Sequence, residues 1–244
     1  MEIVKYNPEK HAEHLPDHHP PRYRDGSIGK FKPVAREAVA ELKDFVDFDD
    51  SIELVLGVTD VDELGESPPT GYYFMGFSFC EGLHSYEQNA VYMRASDQPD
   101  NWKAAFKSML IHELGHQVFY QNEVDWEDDQ YHSIMFEGHA ENLARIIGER
   151  NGRSFSPVWQ KEEPIEVDKE QLYEDLEKPR DFDNEDHNMF LRGGERWSHA
   201  EGYTIAYQIV RHLIEEDQIS INSMLETSSE KWREMVEETI EELY

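Results

Sequence analysis

Apolar residues recur along this chain with two different periods, and the change between them predicts where its elements lie. Ala35, Val39, Leu42, Phe45 and Val46 fall at helical spacing, which predicts a helix over Ala35 to Phe48. SIELVLGV, from Ser51 to Val58, is a β-branched-rich run that ends near a glycine and predicts a buried strand. GYYFMGFSFC (Gly71 to Cys80) and NAVYMRAS (Asn89 to Ser96) predict two further strands, with the aromatic stripe of the first suited to a core and sheet face. Beyond Pro99 the period lengthens. Trp102, Ala105, Phe106, Met109, Leu110, Leu114 and Phe119 are spaced by threes and fours, so a long amphipathic helix is expected over residues 101–122. An acidic loop from Glu123 to Gln130 precedes a second helix over Ser133 to Arg150, which Gly152 and Pro157 close. Shorter helical patterns follow at Lys169 to Lys178, Ala200 to Glu215 and Glu230 to Leu243.

Residues 1–30 hold four prolines and show no clean period, so an irregular arm is expected there. Its histidines (His11, His14, His18, His19) have no fixed scaffold in this reading, and no site is assigned to them. No internal repeat is present and no linker argues for two independent domains. The expectation is one α+β domain over residues 31–244, with a small mixed sheet plus helix in 31–100 and helices from 101 onward.

Charge changes the picture. The chain has 244 residues and sets 53 Asp and Glu against 23 Lys and Arg, a formal net charge of -30. Nucleic-acid binding is disfavoured because phosphate contacts need clustered Lys and Arg, and no basic run occurs. Binding to an anionic membrane surface is disfavoured for the same reason. No apolar stretch approaches the ~20 residues that span a bilayer, and the first residues lack the apolar block of a signal peptide. A single cysteine, Cys80, makes no internal disulfide and removes multi-cysteine zinc ribbons from consideration. A soluble cytoplasmic protein is therefore expected, of unassigned oligomeric state. The acids are spread along the chain and interleaved with apolar residues, a pattern expected of a protein adapted to high salt, where screening relieves their repulsion.

The candidate chemistry lies in the first long helix. His112, Glu113, Leu114, Gly115 and His116 spell HExxH, and residues four apart on a helix share a face. Both imidazoles can thus address one ion while Glu113 stands beside them as a base for water. Catalytic zinc takes three protein ligands. A glycine three positions after His116 and a histidine six positions after it would extend the motif, but those positions are Phe119 and Asn122. The third ligand is therefore expected from a Glu on the second helix. Glu137 opens EGHAE there, and Glu141, four residues on, can orient His112 by accepting a hydrogen bond from its other ring nitrogen. Gly138 costs helix stability and so suggests a close approach by a neighbouring element. His139, two positions from Glu137, should project about 200° round the helix and point elsewhere.

HELGH, then SIMFEGHAENLA, then MFLRGGERWSHAEGYTIAYQIV together resemble the predicted zinc-dependent protease family numbered 2268 among domains of unknown function, within the gluzincin branch of zincins. The likeness runs from Trp102 to Leu213. Ala206 stands where the family's last motif usually has glycine, and His139 fills the open position of EGxAE. The resemblance implies a zincin-like fold and a zinc peptidase. Zn²⁺ would be held by His112, His116 and Glu137, Glu113 would be the base, and a peptide or protein would be the substrate. Tyr203 leads as donor to the oxyanion with His199 second, and core packing of Tyr203 with Tyr207 is the competing reading of that segment. The strand Asn89 to Ser96 is expected to offer a sheet edge to an extended peptide. A catalytically silent zincin-fold binding module is the alternative function, and the intact Glu113 argues against it.

Overall fold

The computed structural model describes residues 1–11, 28–58, 75–79, 89–96, 100–122, 129–153, 165–178 and 201–244. The protein is α+β and mostly helical. Four strands form one sheet: β1 (Glu2–Lys5), β2 (Glu53–Val58), β3 (Met75–Phe79) and β4 (Ala90–Ala95). Their order is β1-β2-β4-β3, with β1, β2 and β4 parallel and β3 antiparallel to β4. The helices are α1 (Pro8–His11), α2 (Phe31–Lys43), α3 (Trp102–Gln121), α4 (Gln130–Arg150), α5 (Lys169–Leu176), α6 (Glu201–Glu215) and α7 (Ser229–Leu243). No helix among the described residues is long and apolar enough to cross a membrane.

The chain divides into two compact units. The first comprises Met1–Val118 and Ile147–Val158. Its sheet is centred on β2 and β4, which bury most of their side chains. Leu54, Val55 and Leu56 of β2 and Val91, Tyr92 and Met93 of β4 are all buried, the pattern of parallel strands covered on both faces. One correction follows. Residues Asn89 to Ser96 do not provide the sheet edge, because β4 pairs with β2 on one side and β3 on the other, and β1 and β3 are the outer strands among the described residues.

Helix α2 buries Phe31, Val34, Ala35, Ala38, Val39 and Leu42, one stripe at helical spacing. It starts four residues before the sequence pattern suggested and stops at Lys43. Val46 is buried beyond it in a turn whose amides return to Leu42. Phe31 packs its ring edge-on against Trp102 (5.0 Å between centroids) and tilted against Phe106 (5.4 Å), both from α3. Lys107 reaches Glu37 and Glu41, each at 2.8 Å, and Glu41 also pairs with Arg153.

Within the segment expected to be irregular, residues 2–5 pair with β2, Ile3 and Tyr6 are buried, and α1 adds one helical turn. His11 is buried as well, accepting from the Asn7 amide at Nδ1 and lying against the rings of Tyr6 and Tyr92. His14, His18 and His19 lie outside the described residues.

The second unit comprises Phe119–Ile146 and Trp159–Tyr244 and is helical in its described residues. Helix α4 begins three residues earlier than its apolar pattern, because the Asp129 carboxylate accepts from the His132 amide at 3.0 Å and caps it. Gly138 is where α4 meets α6. A Cβ there would lie 2.4 Å from the Ala206 carbonyl oxygen and 2.5 Å from Val210 Cγ2, so the crossing admits no side chain. Asn142, one turn on and fully buried, donates from Nδ2 to the Gly138 carbonyl (2.9 Å) and the Tyr207 carbonyl (3.1 Å) and accepts from Arg145 Nε (3.2 Å). Arg145 continues to Glu215 at 3.1 Å. Trp232 of α7 donates from Nε1 to the Tyr131 carbonyl at 3.2 Å, and Tyr131 donates its hydroxyl to Glu237 at 2.9 Å.

Candidate metal centre

The middle of α3 buries the apolar residues Leu110, Ile111, Leu114, Val118 and Phe119. In that setting His112, Glu113 and His116 are buried too. Burying three ionisable side chains within five residues costs free energy unless they are hydrogen-bonded, paired or coordinate an ion. The two imidazoles stand nearly perpendicular, 83° between planes, with their Nε2 atoms 3.2 Å apart. Two nitrogens held ~2.0–2.1 Å from one tetrahedral zinc stand about 3.3 Å apart. The histidine pair therefore already has the spacing of two ligands of one ion.

Glu137 is buried on α4, and one ligand atom from each of His112, His116 and Glu137 lies within 4.8 Å of the others, a group that could hold a metal ion. Two neutral nitrogens and one carboxylate oxygen suit a zinc ion that keeps a fourth position for water. Neither His132 nor His139 belongs to this group. His139 is fully buried, with its ring 6.0 Å from that of Phe119. Burial pushes its imidazole down to about 4, partly opposed by the Ile221 backbone, so it is neutral near pH 7.

The remaining sequence candidates stand as follows. Glu141 is half-buried on α4, one turn past Glu137, and Tyr203 is half-buried in the first turn of α6. His199 lies outside the described residues. Tyr207, on α6 with Tyr203, is fully buried, so packing explains that tyrosine.

Two polar residues near this chemistry were not singled out from the sequence. Asn142 holds the crossing that carries Glu137. Ser78, on β3, places its Oγ 2.5 Å from the Glu113 carbonyl oxygen and 3.3 Å from Glu113 Oε2. The sequence held a faint signal for it, one hydroxyl in the aromatic-rich run GFSFC.

Fold and site together define an α+β protein with a buried His-His-Glu group able to take a metal ion. The family model described as Predicted Zn-dependent protease (DUF2268) matches residues 62–233, and the chain belongs to that family. No curated protein and no solved structure matches it.

Proposed function

We propose that the protein is a zinc-dependent peptidase with a zincin-like fold, acting on peptides or proteins. The observation that carries this is the buried histidine pair, Nε2 facing Nε2 at 3.2 Å, with Glu137 as the third member of its group. The protein's membership of a family described as predicted zinc-dependent proteases supports it. His112, His116 and Glu137 hold the ion. Bound zinc supplies Lewis acidity toward water and toward a carbonyl oxygen.

The protein's own residues do the rest. Glu113 takes the proton of the attacking water at its carboxylate and hands it to the departing amine nitrogen. Glu141, one turn past Glu137, is the carboxylate assigned to turn toward the second ring nitrogen of His112 and fix its tautomer when the ion is bound. Tyr203 donates its hydroxyl to the oxygen that gains charge, with His199 as second candidate. An extended peptide adds along β3, an outer strand among the described residues and the one that carries Ser78.

Glu113 separates hydrolysis from mere binding, since it is not one of the three ligands. Glu113→Gln keeps the shape of the side chain and removes the base. The variant is expected to retain zinc while hydrolysis of a mixed peptide library falls by ~10²- to 10⁴-fold. No cleavage by the zinc-loaded parent would hand the fold to the silent binding module instead, and equal cleavage by parent and variant would remove Glu113 as the base.

A further inference from the structure

A helix brings Glu113 to the right neighbourhood, but it does not aim the carboxylate. Glutamate is among the side chains that lose most rotamer freedom on being fixed. On the same helix Leu110 and Met109, one turn before it, carry no hydrogen-bond donor, whereas His116 and Gln117, one turn after it, do. A further donor arrives from another element. Ser78 of β3 reaches α3 and sets its one hydroxyl proton between two acceptors of the same residue, the Glu113 main-chain oxygen at 2.5 Å and the Oε2 carboxylate oxygen at 3.3 Å. One contact anchors the backbone at position 113, and the other gives the carboxylate a direction.

We propose that Ser78 is a positioning residue for Glu113, holding the carboxylate in the rotamer from which it meets water. This rests on the reading of Glu113 as the base of a zinc peptidase. A base that swings freely spends part of its time outside proton-transfer reach, and small misplacements lower the rate rather than substrate binding. The role also explains why a lone hydroxyl sits in an otherwise apolar strand. At that point the strand supplies a hydrogen bond to Glu113 from outside its own helix.

The test compares zinc-loaded parent, Ser78→Ala and Ser78→Thr. Threonine keeps the hydroxyl and suits a strand. In Ser78→Ala, kcat on any cleaved peptide is expected to fall about 10-fold with KM nearly unchanged, the loss of one hydrogen bond to a charged group. Ser78→Thr should recover most of it. Zinc content and melting temperature should match the parent in both. Crystals of zinc-loaded Ser78→Ala should show the Glu113 carboxylate in more than one rotamer, a readout that needs no substrate.

An unchanged kcat, a loss that threonine leaves in place, or a loss that tracks falling zinc content or melting temperature overturns the proposal. So does a single parent-like Glu113 rotamer in the alanine variant. Failure of the reading of Glu113 as that base looks different. In that case Glu113→Gln cleaves as fast as the parent, or the parent cleaves nothing, and the rotamer comparison still decides what Ser78 does.

Discussion

A methyl group at position 138 has nowhere to go. The Ala206 carbonyl oxygen and the Val210 side chain already occupy the place where a Cβ would stand. Alanine is worth up to ~1 kcal/mol over glycine inside a helix, and Gly138→Ala must set that gain against parting α4 from α6. Overpacking of this kind costs about 1–3 kcal/mol, so the variant should be the less stable by chemical denaturation. Gly148, on the same helix, has no heavy atom within 4 Å of its would-be Cβ, and Gly148→Ala should be neutral or stabilising. Equal responses at the two sites would contradict the close crossing. Gly138 was legible in the sequence because a glycine beside a candidate ligand on a helix needs a reason. So was the grouping of His112, His116 and Glu137, since ligand chemistry restricts residue types and helical spacing restricts positions. Ser78 and Asn142 were not. Each acts on a main-chain carbonyl, and nothing in a sequence says which distant carbonyl a serine or asparagine will meet.

Among the elements, long periodic helices were readable to within a few residues, because each must bury one stripe and the stripe is written in the spacing. The errors lie where burial and periodicity part company. Val46 and Phe48 are buried yet stand beyond the end of α2 at Lys43, since an apolar residue in a turn packs as well as one in a helix. Strand β1 is only EIVK, too short for its alternation to stand out, and pairing with β2 rather than its own composition makes it a strand. The edge was misjudged for a related reason. A run of side chains reports how deeply a strand is buried but not which strands flank it. NAVYMRA is nearly continuous in apolar residues, the mark of an interior strand, and that reading agrees with the observed position of β4 better than proximity in sequence to α3 does.

At the scale of the whole molecule, charge dominates. Even if every Lys and Arg paired with one acid, the excess expressed by the net charge of -30 would remain uncompensated. At ~0.1 M salt the Debye length is about 10 Å and neighbouring carboxylates repel, whereas at ~1 M it is about 3 Å and they hardly sense one another. If the excess is an adaptation to salt, the melting temperature should climb steadily from dilute buffer to molar KCl. A flat or falling curve would reject that reading. Molar salt is therefore also the condition in which to examine the metal.

The account stands or falls on one ion held by His112, His116 and Glu137. The direct measurement is zinc per chain, by elemental analysis of protein purified and dialysed in molar KCl, for the parent and for Glu137→Gln. Glutamine keeps the shape of the side chain and removes its charge, so the fold should persist with unchanged circular dichroism. The account predicts close to one zinc per parent chain and a sharp loss in the variant. A parent without zinc, or a folded variant that binds as much zinc as the parent, would contradict it.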